Sequence, residues 1–165
     1  MKKINFLLQL FVIASTILIV KPAIAAQAST QTNILALVNA YRAKESLPPL
    51  VNNSEIASAA EQHSREMAEK KIPFGHDGFS QRMHGLFKEI AGANGGAENV
   101  LYADVDDAKT VVRAWLNSSG HRKNIAGRFN LTGIGIAHDK NGRVYLTEIF
   151  VRNSGRPARL HPVIF

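Results

Sequence analysis

The chain has 165 residues, room for one domain and hardly two. Its 45% hydrophobic content is that of an ordinary globular protein and argues against wholesale disorder. It contains no cysteine, which excludes disulfides, thiolate metal sites and a cysteine nucleophile. The formal charge is +7, and loss of Lys2, Lys3 and Lys21 with a cleaved leader would lower it to +4. Arg152, Arg156 and Arg159 near the end carry most of what is left. No basic stripe interleaved with aromatics remains in the body, so no nucleic-acid partner is expected.

The first segment reads as a signal peptide. Lys2 and Lys3 precede an apolar run from Ile4 to Val20, and Ala23-Ile24-Ala25 supplies small residues for cleavage after about Ala25. An uncleaved membrane anchor is the alternative, although the run is near the lower limit for a span. Residues 26–32 form a polar leader, and 33–152 form the folded domain. Residues 153–165 form a basic tail, read as solvated. Export without cysteines suits a bacterial envelope. The Asn-x-Ser/Thr patterns at Asn52, Asn117 and Asn130 are short enough to arise by chance.

Ile34, Leu35, Leu37, Val38 and Tyr41 fall at helical spacing, which predicts a helix from Asn33 to Ser46. Leu47-Pro48-Pro49-Leu50 must break it. Asn53 or Ser54 can cap a second helix running to about Lys71. Ile56, Ala60, His63 and Met67 share one face of it, so His63 lies on the apolar side. That position suits a core histidine bonded to backbone better than a ligand. Phe74-Gly75-His76-Asp77-Gly78 is a tight segment carrying one imidazole, followed by a short helix near Met83 to Ile90.

Gly92, Gly95 and Gly96 suggest a flexible loop before Ala97-Glu98-Asn99-Val100, and the sequence leaves open whether Glu98 is exposed or turned inward. Asp106 or Asp107 caps a third helix with Ala108, Val111, Val112 and Trp115 inward. Gly120 reads as a helix stop, and Ser119 as the cap of a short helix that holds His121 in its first turn. Leu131 to Ala137 and Val144 to Val151 are strands of a β-hairpin joined by the turn Asp139 to Gly142.

These pieces resemble the CAP superfamily, the cysteine-rich secretory, antigen five and pathogenesis-related proteins, in its cysteine-free bacterial branch. The resemblance is carried by F-G-H-D-G at 74–78, A-E-N-V at 97–100, W-L-N-S-S-G-H-R-K-N-I at 115–125 and Y-L-T-E-I-F at 145–150. N-A-Y-R-A at 39–43, L-P-P-L at 47–50 and H-S-R-E-M-A at 63–68 agree with it. It implies an α+β fold, a single α-β-α sandwich with a small antiparallel sheet between helices and a central cleft. That cleft usually holds two histidines and two glutamates able to bind a divalent metal. His76 and Glu98 match one of each, with Ala97 in place of the motif's glycine. Ser118 and Tyr145 stand where the second glutamate and histidine are expected, and His121 matches the histidine of the bacterial branch.

The resemblance thus implies a metal set of His76, Glu98 and His121, zinc being the best-suited ion, with Asn99, Ser118, Tyr145 and Glu148 lining the cleft. His63 is expected outside this set. An equally plain reading is that Glu98 and the histidines hydrogen-bond one another and lock loops. Three functions compete. The first is an exported domain binding an apolar small molecule, such as a lipid, or a cell-envelope component. The second is a metal-assisted hydrolase acting outside the cell. The third is a serine hydrolase using Ser118 or Ser119 with His121. Glu98 with Glu148 would be a glycosidase pair only at a suitable separation. No G-x-S-x-G or H-E-x-x-H motif supports an enzyme, so binding is preferred.

Overall fold

The computed structural model describes residues 20–154, with side chains from residue 27 onward. The signal segment up to residue 19 and the tail from 155, with Arg156 and Arg159, lie outside the described residues. The order is α1 (Val20–Lys44), β1 (Val51–Asn52), α2 (Ser54–Ala68), α3 (Phe79–Glu89), β2 (Ala93–Ala103), α4 (Ala108–Asn117), α5 (Ser119–Ile125), β3 (Leu131–His138) and β4 (Val144–Asn153). Among the described residues no helix is long and apolar enough to cross a membrane.

The sheet runs β1-β3-β4-β2. β3 and β4 form the expected hairpin, and β2 pairs antiparallel with β4 from Ala93 to Ala103. Only the two-residue β1 runs parallel, beside β3. On one face α2 lies along β3 and β4 while α3 meets β2, and on the other lie α1, α4 and α5. This is the expected sandwich. Ile34, Val38, Val111, Trp115, Leu146 and Phe150 are buried together on the α1–α4 side. Ile56, Ala60, Met83, Leu86, Ile149 and Val151 are buried on the α2–α3 side. The close seating of α2 depends on Gly133 and Gly135, since a methyl group on either would overlap the α2 backbone at Ala57 or at Ala60 and Glu61.

Four local expectations are corrected. The first helix, described over Val20–Lys44, already covers the residues ahead of Asn33, so the stretch expected as a leader is helical. Gln27 and Gln31 donate from it to the Ile136 and Ile134 carbonyls of β3. They thereby occupy acceptors along the edge that β1 is too short to cover. Of the glycines expected to form a loop, Gly92 lies in a turn, but Gly95 and Gly96 are part of β2. Gly96 leaves the space there that Met83 Sδ fills, so a side chain at this position would have to displace it. Helix α3 starts one turn earlier than predicted, at Phe79. Finally, α4 ends because Ser118 turns extended (φ −89°, ψ 123°), and Gly120 lies inside α5. Asn53 and Asp107 cap α2 and α4 as expected, accepting from the amides of Ile56 and Thr110.

Candidate functional site

Side chains alternate between faces along a strand. Glu98 and Asn99 of β2 therefore point to opposite sides of the sheet, Glu98 towards α2 and α3 and Asn99 towards α5. The Glu98 carboxylate is 1% exposed. It is clamped by Arg82 of α3, whose Nε donates to Oε2 at 2.9 Å and whose Nη2 donates to Oε1 at 2.8 Å. The Arg82 Nη1 donates to the Asp77 main-chain carbonyl at 2.7 Å, which ties the same guanidinium to the loop bearing His76. His76 Nδ1 donates to Glu98 Oε1 at 2.9 Å. This bond fixes the ring with Nε2 as its second, outward nitrogen, and the side chain is 53% exposed.

His63 belongs to the same cluster, contrary to expectation. Its Nε2 is 3.7 Å from Glu98 Oε1 and 2.9 Å from the Gly75 carbonyl. A carbonyl can only accept, so Nε2 carries the proton and donates to Gly75. The Arg82 Nη2, 3.2 Å from that nitrogen, then touches it without bonding. Burial holds the His63 imidazole below the ordinary histidine range, outweighing the pull of Glu98. His63 is thus a neutral buried strut under the loop. The expectation of a core histidine bonded to backbone is met, and the expectation that it stays clear of Glu98 is not.

His121 approaches from α5. It is half-buried. Burial lowers its affinity for a proton, and the neighbouring His76 lowers it further. Its main chain is held from beneath. Asn99 Nδ2 donates to the His121 carbonyl at 3.2 Å, and Asn124 donates to Asn99 Oδ1 at 2.9 Å and to the Glu98 carbonyl at 3.2 Å. The structure therefore joins His76 and Glu98 directly, and His121 lies close enough to His76 for that ring to lower its proton affinity.

The residues expected to line the cleft are distributed differently. Asn99 is fully buried and positions α5. Ser118 is half-buried at the α4–α5 turn. Tyr145 is nearly buried against Phe74 and Tyr102. Glu148 does not line this site. It faces Asn99 in the β2–β4 register, so it projects to the side of the sheet opposite Glu98, and it is fully buried. It accepts from Thr132 at 3.2 Å through Oε1, while Oε2 has no hydrogen-bond partner. Desolvation pushes its carboxyl up to about 8. The nearby Arg42 spends its donors on the carbonyls of Pro48, Ile125, Gly127 and Phe129. A glycosidase pair with Glu98 is excluded by this placement on opposite faces.

The donor set does not fit the expected metal centre. Three of the roughly four acceptor positions on the Glu98 carboxylate are filled by Arg82 and His76. The guanidinium also brings a fixed positive charge to the place where a cation would sit. Among the described residues no three His, Cys, Asp or Glu side chains are grouped to hold an ion. Glu98 instead stands behind His76, as an outer carboxylate stands behind a histidine ligand. That leaves two imidazoles, one short of the usual three protein ligands.

Arg82 was not singled out in the sequence. Its signal is that Phe79, Arg82, Met83 and Leu86 fall at the i, i+3, i+4, i+7 spacing of one helix face. A charge within an apolar stripe calls for a buried partner. Arg82 and His63 also form part of the wall of a groove of about 590 Å³ between α2 and α3, rimmed by Glu55, Glu66 and Glu89.

Comparison with known proteins agrees with this architecture. Residues 35–152 match the model of the cysteine-rich secretory protein family, CAP. The chain is 28% identical over 127 residues to the uncharacterised protein YkwD of Bacillus subtilis, covering 73% of this chain and 46% of YkwD. It is 30% identical over 131 residues to the uncharacterised membrane protein YlbC of the same organism, covering 76% and 35%. The chain thus spans less than half the length of these relatives. Among solved structures, an extracellular SCP-domain protein of Bacillus anthracis is 27% identical with a TM-score of 0.63, covering 77% of this chain and 41% of that one. An outer surface protein of Borrelia burgdorferi shares the fold at 18% identity and a TM-score of 0.65, covering 76% and 94%. The match along residues 35–152 places the chain in the cysteine-rich secretory protein (CAP) family.

Proposed function

We propose that this chain is an exported binding domain that recognises a cell-envelope component at the mouth formed by His76 and His121, without turning it over. The observation that carries the reading is the state of Glu98. A carboxylate held by a guanidinium fork and an imidazole N–H is a poor proton shuttle, nucleophile or metal donor. What it does well is hold the His76 ring at one angle, with Nε2 presented to solvent. The Asn99–Asn124 pair holds the His121 main chain from the other face. The fixed His76 imidazole, with His121 on α5 in its neighbourhood and the proton affinity of His121 lowered, offers acceptors for the hydroxyl and amide protons of a polar ligand. The extracellular and outer-surface descriptions of the structural neighbours support an envelope location.

The test is co-sedimentation of the protein with purified bacterial sacculi and, separately, with phospholipid vesicles. Retention by sacculi that is lost in His76→Ala and His121→Ala is expected. Retention by vesicles alone, or sacculus retention indifferent to both substitutions, would overturn the reading.

A further inference from the structure

A second cluster, on the same side of the sheet as Glu98, is not used by the histidine mouth. Phe74 and Tyr102 are 45% and 49% exposed. Their rings meet edge to face at 4.9 Å. Tyr145 lies beneath, 6.4 Å from Phe74 and 6.3 Å from Tyr102. Large aromatics left open to water in this way are uncommon and mark contact surfaces. Phe74 is two residues before His76, and Tyr102 lies two alternations beyond Glu98 on β2, so the platform continues from the mouth.

Beside it is a polar notch of about 250 Å³, floored by Tyr145 and walled by Lys70, Asp104, Asp139 and Arg143. Part of its wall is tied down by hydrogen bonds. Asp139 accepts from the amides of Asn141 and Arg143 at 2.8 and 3.0 Å. The Arg143 guanidinium lies over Tyr102, 5.1 Å from the ring centre, with its Nε 3.6 Å from Asp104. Lys70 holds a left-handed conformation, φ 58°, which a residue with a side chain adopts rarely.

We propose that this aromatic platform and notch bind one or two units of a neutral saccharide. The inference rests on the reading above that an envelope component is the ligand, and names its chemical class. The C–H face of a pyranose packs on an exposed aromatic ring, while its hydroxyl groups suit a carboxylate and a guanidinium set side by side. Two cations and two carboxylates balance in the notch, so no charge selects an anionic or cationic ligand. An anionic polymer would meet Asp104 and Asp139. A lipid chain would need an apolar cavity, and the notch is smaller than the roughly 300–1,000 Å³ that encloses a drug-sized apolar ligand.

The experiment is an NMR titration of the protein with chitohexaose and, separately, cellohexaose. Shifts at Phe74, Tyr102 and Tyr145 are expected with at least one of them. Phe74→Ala and Tyr102→Ala should each weaken binding about 5- to 10-fold, the value of one lost ring contact. Both rings are about half exposed, so each alanine variant should stay folded with only a small drop in thermal midpoint, and Tyr102→Phe should bind as the parent does. Absence of shifts at millimolar concentrations of both sugars, or equal affinity in the alanine variants, would overturn the assignment. If sacculi are retained while neither hexasaccharide binds, the saccharide assignment fails and the histidine-mouth reading stands. If a hexasaccharide binds the platform while sacculi are not retained, the reverse holds.

Discussion

Removing the Arg82 guanidinium tests the clamp on which the site is built. In Arg82→Met a side chain of similar length keeps much of the packing of α3, but Glu98 loses two of its three hydrogen bonds. Its carboxylate is 1% exposed and Arg82 only 14%, so water does not readily replace the fork. Breaking one partner of a buried ion pair costs about 3–5 kcal/mol, because the remaining charge is left uncompensated. A small domain is stable by about 5–15 kcal/mol, so the loss should be visible as a large drop in the urea midpoint with little change in slope. The double variant Arg82→Met/Glu98→Gln removes the stranded charge as well. It should be more stable than Arg82→Met alone, with a coupling energy of about 1–3 kcal/mol. If Arg82→Met costs less than about 1 kcal/mol, as an exposed pair would, the clamp carries no weight. Simple additivity in the double variant would refute the reasoning equally.

Two further outcomes follow from the packing and from the buried carboxyl. Gly135→Ala should force α2 away from β3, because the added methyl meets main-chain atoms of Ala60 and Glu61 that cannot rotate aside. The expected loss is about 1–3 kcal/mol, and an unchanged thermal midpoint would contradict the seating of α2. Glu148 has its folded-state pKa raised from 4.5 to about 8. It therefore binds its proton more tightly when folded. Its stabilising contribution is complete below the unfolded value and is lost as pH rises towards about 8, roughly 5 kcal/mol across the window. Glu148→Gln should remove that slope, matching the parent near pH 4.5 and exceeding its stability near pH 8 in urea titrations. Parallel pH profiles for the two proteins would show that the carboxyl is not perturbed.

Much of this fold is legible in the sequence because its periodicities are strong. The α2 stripe of Ile56, Ala60, His63 and Met67, the caps at Asn53 and Asp107, and the β3–β4 hairpin are all local signals that the structure retains. Strand β2 was hidden because Gly92, Gly95 and Gly96 have the composition of a turn. It is a strand through its pairing with β4 and the demand of Met83 for space, both non-local. The side of the sheet taken by Glu148 was hidden for a related reason. Residues 144–151 of β4 are buried on both faces, so alternation does not separate them, and only the register with Asn99 assigns the carboxylate. The family motifs located His76, Glu98 and His121. They did not tell that Arg82 closes on Glu98 and that His63 supports it, because those partners come from two other helices.

The most direct test of the account is nitrogen NMR of the histidine side chains during addition of solubilised, digested sacculus fragments. His76 is expected in the tautomer protonated at Nδ1 before addition, with its Nε2 resonance and that of His121 moving on addition. The Nε2 of His63, bonded to Gly75, should stay in place. A His76 ring found protonated at Nε2, or fragments that move His63 and leave His76 and His121 unchanged, would contradict the claim that His76 and His121 form the binding mouth.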